Sequence, residues 1–284
     1  MKKIVSFVFA AFLMVAASVP SYAQLSGKTV TREFTDLESF TELNVSGNFA
    51  VVASCSDDHF VEITVSEEYE PYLSVSVDHG TLVVCYKKLP GKMRNMKDVI
   101  SEIKVSLPTL EGLTLSGVST FRSNDKFNVG PRTFCLNQSG ATNITSLDVS
   151  CRDFKLDMGG SSMLSMICHS SDAELSVAGS SKINAKLVAT DVEINLSGAS
   201  RVELEGSCDN LDLKGGGASN LNADSFEIDN ADVRLSGTTK ARIYVSHKLE
   251  VELSGMSSCR YRADRNLDLR TKDISRGATL KKIR

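Results

Sequence analysis

Five carboxylates recur at one place in a repeated pattern: Glu174, Glu193, Asp212, Asp232 and Glu250 each stand five residues before a glycine. If the repeats stack, these oxygens form a column with a step of about 4.8 Å, where like charges repel unless countered. A column of hard oxygens is a candidate site for Ca²⁺ and for no other cofactor. The competing reading is a solvated face, countered by Lys214 and Arg234 two positions further along. Exposed charge rows are common and screened, which favours that second reading. A bound cation would raise the melting temperature by mass action. Three positions after the glycines lie Lys182, Arg201 and Lys240, a partial basic column that suits an acidic glycan or plain solvent. The densest basic run, Lys87 to Lys97, reads as a soluble loop or a partner-binding patch.

Catalytic spacing is missing. No Gly-x-Ser-x-Gly elbow occurs, and His59, His79, His169 and His247 are scattered without metal-ligand spacing. Gly215-Gly216-Gly217 lies between strand-like runs and not ahead of a helix, so no phosphate loop is read there. The repeat also lacks the Gly-Gly-x-Gly-x-Asp calcium pattern. The chain is therefore read as a non-enzyme, with no catalytic and no cofactor-binding residues.

What must position these side chains is the repeat itself. The copies LSGVST, QSGATN, MGGSSM, VAGSSK, LSGASR, GGGASN, LSGTTK and LSGMSS place glycines at 117, 140, 160, 179, 198, 217, 237 and 255. The steps run from 18 to 23 residues, which marks a solenoid period. A hydroxyl follows every glycine by two: Ser119, Thr142, Ser162, Ser181, Ser200, Ser219, Thr239 and Ser257. Between bends the apolar residues alternate, as in Val192, Ile194, Leu196 and then Val202, Leu204, so each copy reads as strand. The reading is an all-β chain whose residues 111–284 form a parallel β-helix (solenoid) of about nine coils. Each coil has two strands, a tight bend at Gly-x-Ser/Thr and a second polar turn such as Gly206 to Asn210. The parity puts glycine on the inward side of the bend, where a Cβ would crowd the neighbouring coils. The hydroxyl serves as a turn former or as a stacked hydrogen-bond ladder, and the sequence leaves both open. Residues 24–110 read as a β-rich N-terminal segment of degenerate coils with hairpins, one turning at Asp78-His79-Gly80, that caps the solenoid. Ile274 to Thr279 reads as a ninth, poorer copy.

Residues 1–23 carry Lys2 and Lys3, an apolar run from Ile4 to Val19 and then Ser21-Tyr22-Ala23, the pattern of a signal peptide cleaved after Ala23. The expectation is an exported protein, periplasmic, secreted or on the cell surface, with no membrane-spanning segment in the mature chain. Of 32 basic residues, removal of Lys2 and Lys3 leaves 30 against 35 acidic, a net charge of −5 that gives no reason to expect nucleic acid. Among seven cysteines, Cys168 and Cys259 fall on apolar positions and read as buried thiols. Cys151 and Cys208 lie three coils apart, too far to bridge, which leaves Cys55 with Cys85 as the candidate disulfide.

The strand ending in Val45-Ser46-Gly47, the segment Ile103-Lys104-Val105-Ser106-Leu107-Pro108 and the serial Leu-Ser-Gly-Ala-Ser copies together resemble the exported bacterial family described as the putative auto-transporter adhesin, head GIN domain. The resemblance spans roughly residues 36–284 and implies a parallel β-helix with an adhesin-like role. No run of alternating lipid-facing strands follows the repeats, so a translocator barrel is not expected in this sequence. Three functions compete: a non-catalytic adhesin-like surface or periplasmic binding protein, a β-helix polysaccharide-degrading enzyme, and a structural spacer. The first leads. Its partner would be a cell-surface protein or a glycan, and the absence of Trp argues against tight recognition of one sugar.

Overall fold

In the computed structural model, residues 28–93 and 99–283 are described. The signal-peptide reading of residues 1–23 and part of the basic run at 94–97 lie outside them. Of the described residues 69% lie in strands and none in an α-helix, and they fold as a β-solenoid of about nine turns. No helix in that range is long and apolar enough to cross a membrane.

The alternation dictates the coil. Strand Lys182–Leu196 pairs in parallel with Arg201–Gly215, which pairs with Asn220–Leu235 and then with Lys240–Leu253. Val192, Ile194, Leu196, Val202, Leu204, Leu211 and Leu213 all point inward and are buried. Each such side chain contributes about 1.5–3 kcal/mol of burial, so every coil is held by its own apolar strip and its two neighbours. The polar stretch Gly206 to Asn210 bends without breaking the ladder, so in these coils one long strand replaces the two short ones expected. Two strands per coil survive at Met163–His169 and Asp172–Val177.

At the bend the structure corrects one expectation. Gly198 is exposed and not inward. It takes φ +70°, a left-handed turn conformation, and so do its counterparts from Gly117 to Gly255, all with positive φ. The crowding is real nonetheless, because a Cβ on Gly198 would stand 2.5 Å from the Gly179 carbonyl oxygen of the coil below. The hydroxyl two residues on is buried in all eight copies. Both roles proposed for it occur. Ser181, Ser200 and Ser219 donate to the carbonyls of Ala178, Ser197 and Gly216 at 2.8–2.9 Å. Thr142 to Ser162 (3.0 Å) and Ser200 to Ser219 (3.3 Å) also link adjacent coils.

The solenoid starts earlier than the repeats. Glu42–Gly47 pairs in parallel with Gly112–Gly117, setting Gly47 directly under Gly117, and Phe49 fills the hydroxyl position. Phe49 is buried and stacks on Tyr86 at 4.9 Å. Hairpin Leu73–Asp78 to Thr81–Tyr86 turns through His79 (φ 48°) and Gly80 (φ 79°), the positive pair a two-residue turn requires. Strand Phe60–Ser66 runs antiparallel to Thr29–Glu33 and to Ser101–Leu107. At the other end Gly277 follows the glycine column over Gly255, and strand Asp268–Ile274 is exposed along its whole length.

The expected Cys55–Cys85 disulfide is absent, and both thiols are free. The two cysteines sit on strands with different partners, Cys55 beside Leu107 and Cys85 beside Ser46. Cys55 instead reaches the Pro108 carbonyl. Cys168 and Cys259 are buried as read from the repeat. Cys151 and Cys168 hydrogen bond between adjacent strands, and that bond, with burial, pushes the Cys168 thiol up.

Candidate functional site

The five carboxylates stack as the period requires: Glu174 beside Glu193, then Asp212, Asp232 and Glu250. In the same row Lys155 precedes the five and Arg270 follows them, so a cation flanks the carboxylates at each end. The next outward row interleaves with it. Lys214 lies between Glu193 (2.8 Å) and Asp212 (3.5 Å), Arg234 between Asp212 (3.3 Å) and Asp232 (2.5 Å), and Lys272 between Asp232 (3.2 Å) and Glu250 (2.7 Å). Lys248 adds a further contact to Glu250 at 2.7 Å. Repulsion down the column is thus relieved by side chains of the same protein. Among the described residues no group of three or more His, Cys, Asp or Glu gathers to hold a metal ion. Lys214 and Arg234 were legible from parity. Lys272 was not, because five back from Gly277 it counts into the carboxylate column, whereas the register gives that place to Arg270 and shifts between Val251 and Glu252.

Hydrogen bonds from Lys214 and Asn195 hold Glu193 below the usual carboxylate range, and Lys248 with Lys272 holds Glu250 down to about 2. Folded values below the unfolded ones mean stability that is complete above the ordinary 4.5 and lost as pH falls from there toward 2. Melting temperatures are expected to be flat near neutrality and to fall across that acid window. Glu250→Gln should flatten the lower part of the fall, and an unchanged acid limb in that variant would deny the ladder its role. The carboxylates are partly exposed, Glu250 the least of them at 17%, so high salt should reduce the effect without abolishing it.

A second row lies just past the glycine bend: Lys182, Arg201, Asn220 and Lys240 align coil by coil. With Ser180, Ala199 and Thr238 they line a groove of about 430 Å³ whose walls contain no carboxylate. Among the described residues, none of the three cations forms an ion pair.

A third feature was not foreseen in the sequence. Asp148, Lys186, Glu203 and Glu205 line a groove of about 400 Å³ beside the half-exposed Ile167. One oxygen of Asp148 is buried without a hydrogen-bond partner. Glu203 and Glu205 stand five and seven after Gly198 and Lys186 seven after Gly179, but Asp148 stands eight after Gly140, past a register shift, so counting from the glycines does not bring the four together. The histidines stay apart: His59 bonds the Phe40 backbone, His79 meets Asp78 and His247 meets Asp229.

A family model described as "Putative auto-transporter adhesin, head GIN domain" matches residues 39–264. No curated protein matches the chain. Among solved structures, a putative adhesin from Parabacteroides merdae ATCC 43184 is similar at 18% identity over 91% of this chain and 98% of that one, with a TM-score of 0.66. A protein from Parabacteroides distasonis ATCC 8503 described as a putative lipid binding protein is similar at 18% identity, with the same coverages and a TM-score of 0.63. A putative adhesin from the same strain gives the same identity, coverages and score. At such identities the likeness shows the fold alone.

Proposed function

We propose, from the premise that the chain belongs to the putative auto-transporter adhesin, head GIN domain family, that it is an exported, non-catalytic, adhesin-like binding protein of the periplasm or cell surface. The observation that carries this reading is the parallel pairing from Met163 to Leu253, shifted in register only between Glu203 and Glu205 and within 223–230, which repeats most outward positions from coil to coil. A surface of this kind offers the same chemistry at intervals of about 4.8 Å and suits an extended or multivalent partner at a cell surface, protein or glycan. A glycan array combined with turnover assays on acidic polysaccharides tests it. Binding without product release is expected. Product release would replace the reading with a polysaccharide-degrading enzyme.

That second reading rests on the groove holding Asp148, Lys186, Glu203 and Glu205, since acid and base groups side by side in a cleft are what glycosidic cleavage needs. It would require Glu203→Gln and Glu205→Gln to abolish the released product while leaving binding intact.

A further inference from the structure

We infer that the groove past the glycine bend binds an acidic polysaccharide lying along the solenoid axis, its carboxylates or sulfates held by Lys182, Arg201 and Lys240. The inference deepens the adhesin-like reading and rests on it.

The argument is one of contrast within a single repeat. Where this chain stacks like charges five residues before the glycine, it supplies counter-charges from the adjacent row, and each of Lys214, Arg234 and Lys272 bridges two carboxylates. Three residues after the glycine it does not. Lys182 and Arg201 occupy consecutive coils about 4.8 Å apart with no carboxylate in the walls around them. On one side the preceding outward positions are Ser197, Gly216 and Ser236, all uncharged. On the other the next outward positions are Asn184, Glu203, Asn222 and Arg242; Arg242 is already paired with Asp224 at 2.6 Å, which leaves the single carboxylate of Glu203 against the three cations of the row. The local field is therefore positive on a protein whose formal net charge is −3, and it is confined to a strip.

Shape and floor select the class of anion. Small side chains at Ser180, Ala199 and Ala218 keep the floor low, because larger residues there would fill the groove. Thr238 and Asn220 add a hydroxyl and an amide able to bond sugar hydroxyls. The strip from Lys182 to Lys240 covers three coil steps, about 14 Å, and one step is close to the advance of one sugar in an extended chain. Consecutive acidic sugars would thus meet consecutive coils, with Asn220 in the third. No aromatic lines the groove, so the contacts are ionic and hydrogen-bonded, and affinity must come from several weak sites in a row. A nucleic acid offers bases that this floor has no aromatic face to stack. An anionic lipid surface is flat and would reach exposed lysines without needing a groove.

The test uses the full mature chain and three probes: polygalacturonate, its fully methyl-esterified form, and phosphatidylglycerol vesicles. Polygalacturonate is expected to bind, the ester not, and affinity should fall steeply with salt because about three protein cations displace counter-ions condensed on the polyanion. Changing Lys182, Arg201 and Lys240 together to Gln should weaken polygalacturonate binding at least tenfold and flatten the salt dependence by about one unit of slope per cation. Lys155→Gln, a charge removed from the ladder row, should leave it within twofold. The proposal is overturned if the triple variant binds as well as the parent, if only vesicles are bound, or if polygalacturonate is not retained at low salt. Binding of a neutral glycan or a cell-surface protein, unaffected in the triple variant, would sink the groove and leave the adhesin-like reading standing. Release of shortened polygalacturonate would do the reverse.

Discussion

Gly198→Val is expected to destabilise the protein by about 3–5 kcal/mol, a drop of roughly 10 °C in melting temperature, whereas Ala199→Val beside it should cost under about 0.5 kcal/mol. Two costs add at Gly198. Its φ of +70° lies where a β-branched side chain is strained, and its Cβ would stand 2.5 Å from the carbonyl oxygen and 3.0 Å from the nitrogen of Gly179. That carbonyl already accepts the Ala199 amide at 2.8 Å, so it cannot retreat without loosening the bond between coils. Neither neighbour is a flexible side chain. Ala199 faces outward and meets only solvent and the groove. Equal melting shifts for the two variants would show that the glycine column is not a point of close contact.

Phe134→Ala is the other large effect, about 3–5 kcal/mol, for a reason of volume rather than backbone. Phe134 is fully buried and aligned in register with Phe154, the two rings 6.1 Å apart and nearly parallel at 16°. Removing one ring leaves a void between successive coils that the main-chain ladder prevents from collapsing. Phe60→Ala serves as the contrast, since Phe60 is 40% exposed and should cost under about 1 kcal/mol. Urea midpoints for both variants decide the matter. A Phe134→Ala shift no larger than that of Phe60→Ala would mean that the interior of these coils is loosely packed.

Period and parity made most of this molecule readable before its shape was known. Val192, Ile194, Leu196, Val202 and Leu204 lie inside because alternation in a strand admits two faces only. The carboxylate row fell into line because one residue choice, repeated every coil, can go nowhere else. What parity could not carry was anything that departs from period two. Gly198 sits on an even step with Leu196 and Ser200, yet a positive φ turns it outward, and backbone sign is invisible in an alternation count. Counting five back from Gly277 would put Lys272 in the carboxylate column itself, but the register places Arg270 there and a shift leaves Lys272 beside it, between Asp232 and Glu250. Cys151 and Cys168 meet although Cys168 is in register with Val149, two residues before Cys151. The groove around Asp148 and Glu203 stayed hidden because its residues differ from coil to coil, and a search for repeats passes over what does not repeat.

The direction of the bonds between coils has a mechanical consequence. Ala199 to Gly179, Ala218 to Gly198 and Thr238 to Gly217 all run along the solenoid axis, each about 2.7–2.8 Å long. A pull applied between the two ends therefore loads these bonds in tension, one layer at a time, instead of shearing many together. Coils would peel from an end in sequence, each releasing roughly 60 Å of slack for its nineteen or so residues. A molecule tethered at one end and attached at the other would lengthen in small steps under load, with the remaining coils still folded and their outer rows still in register.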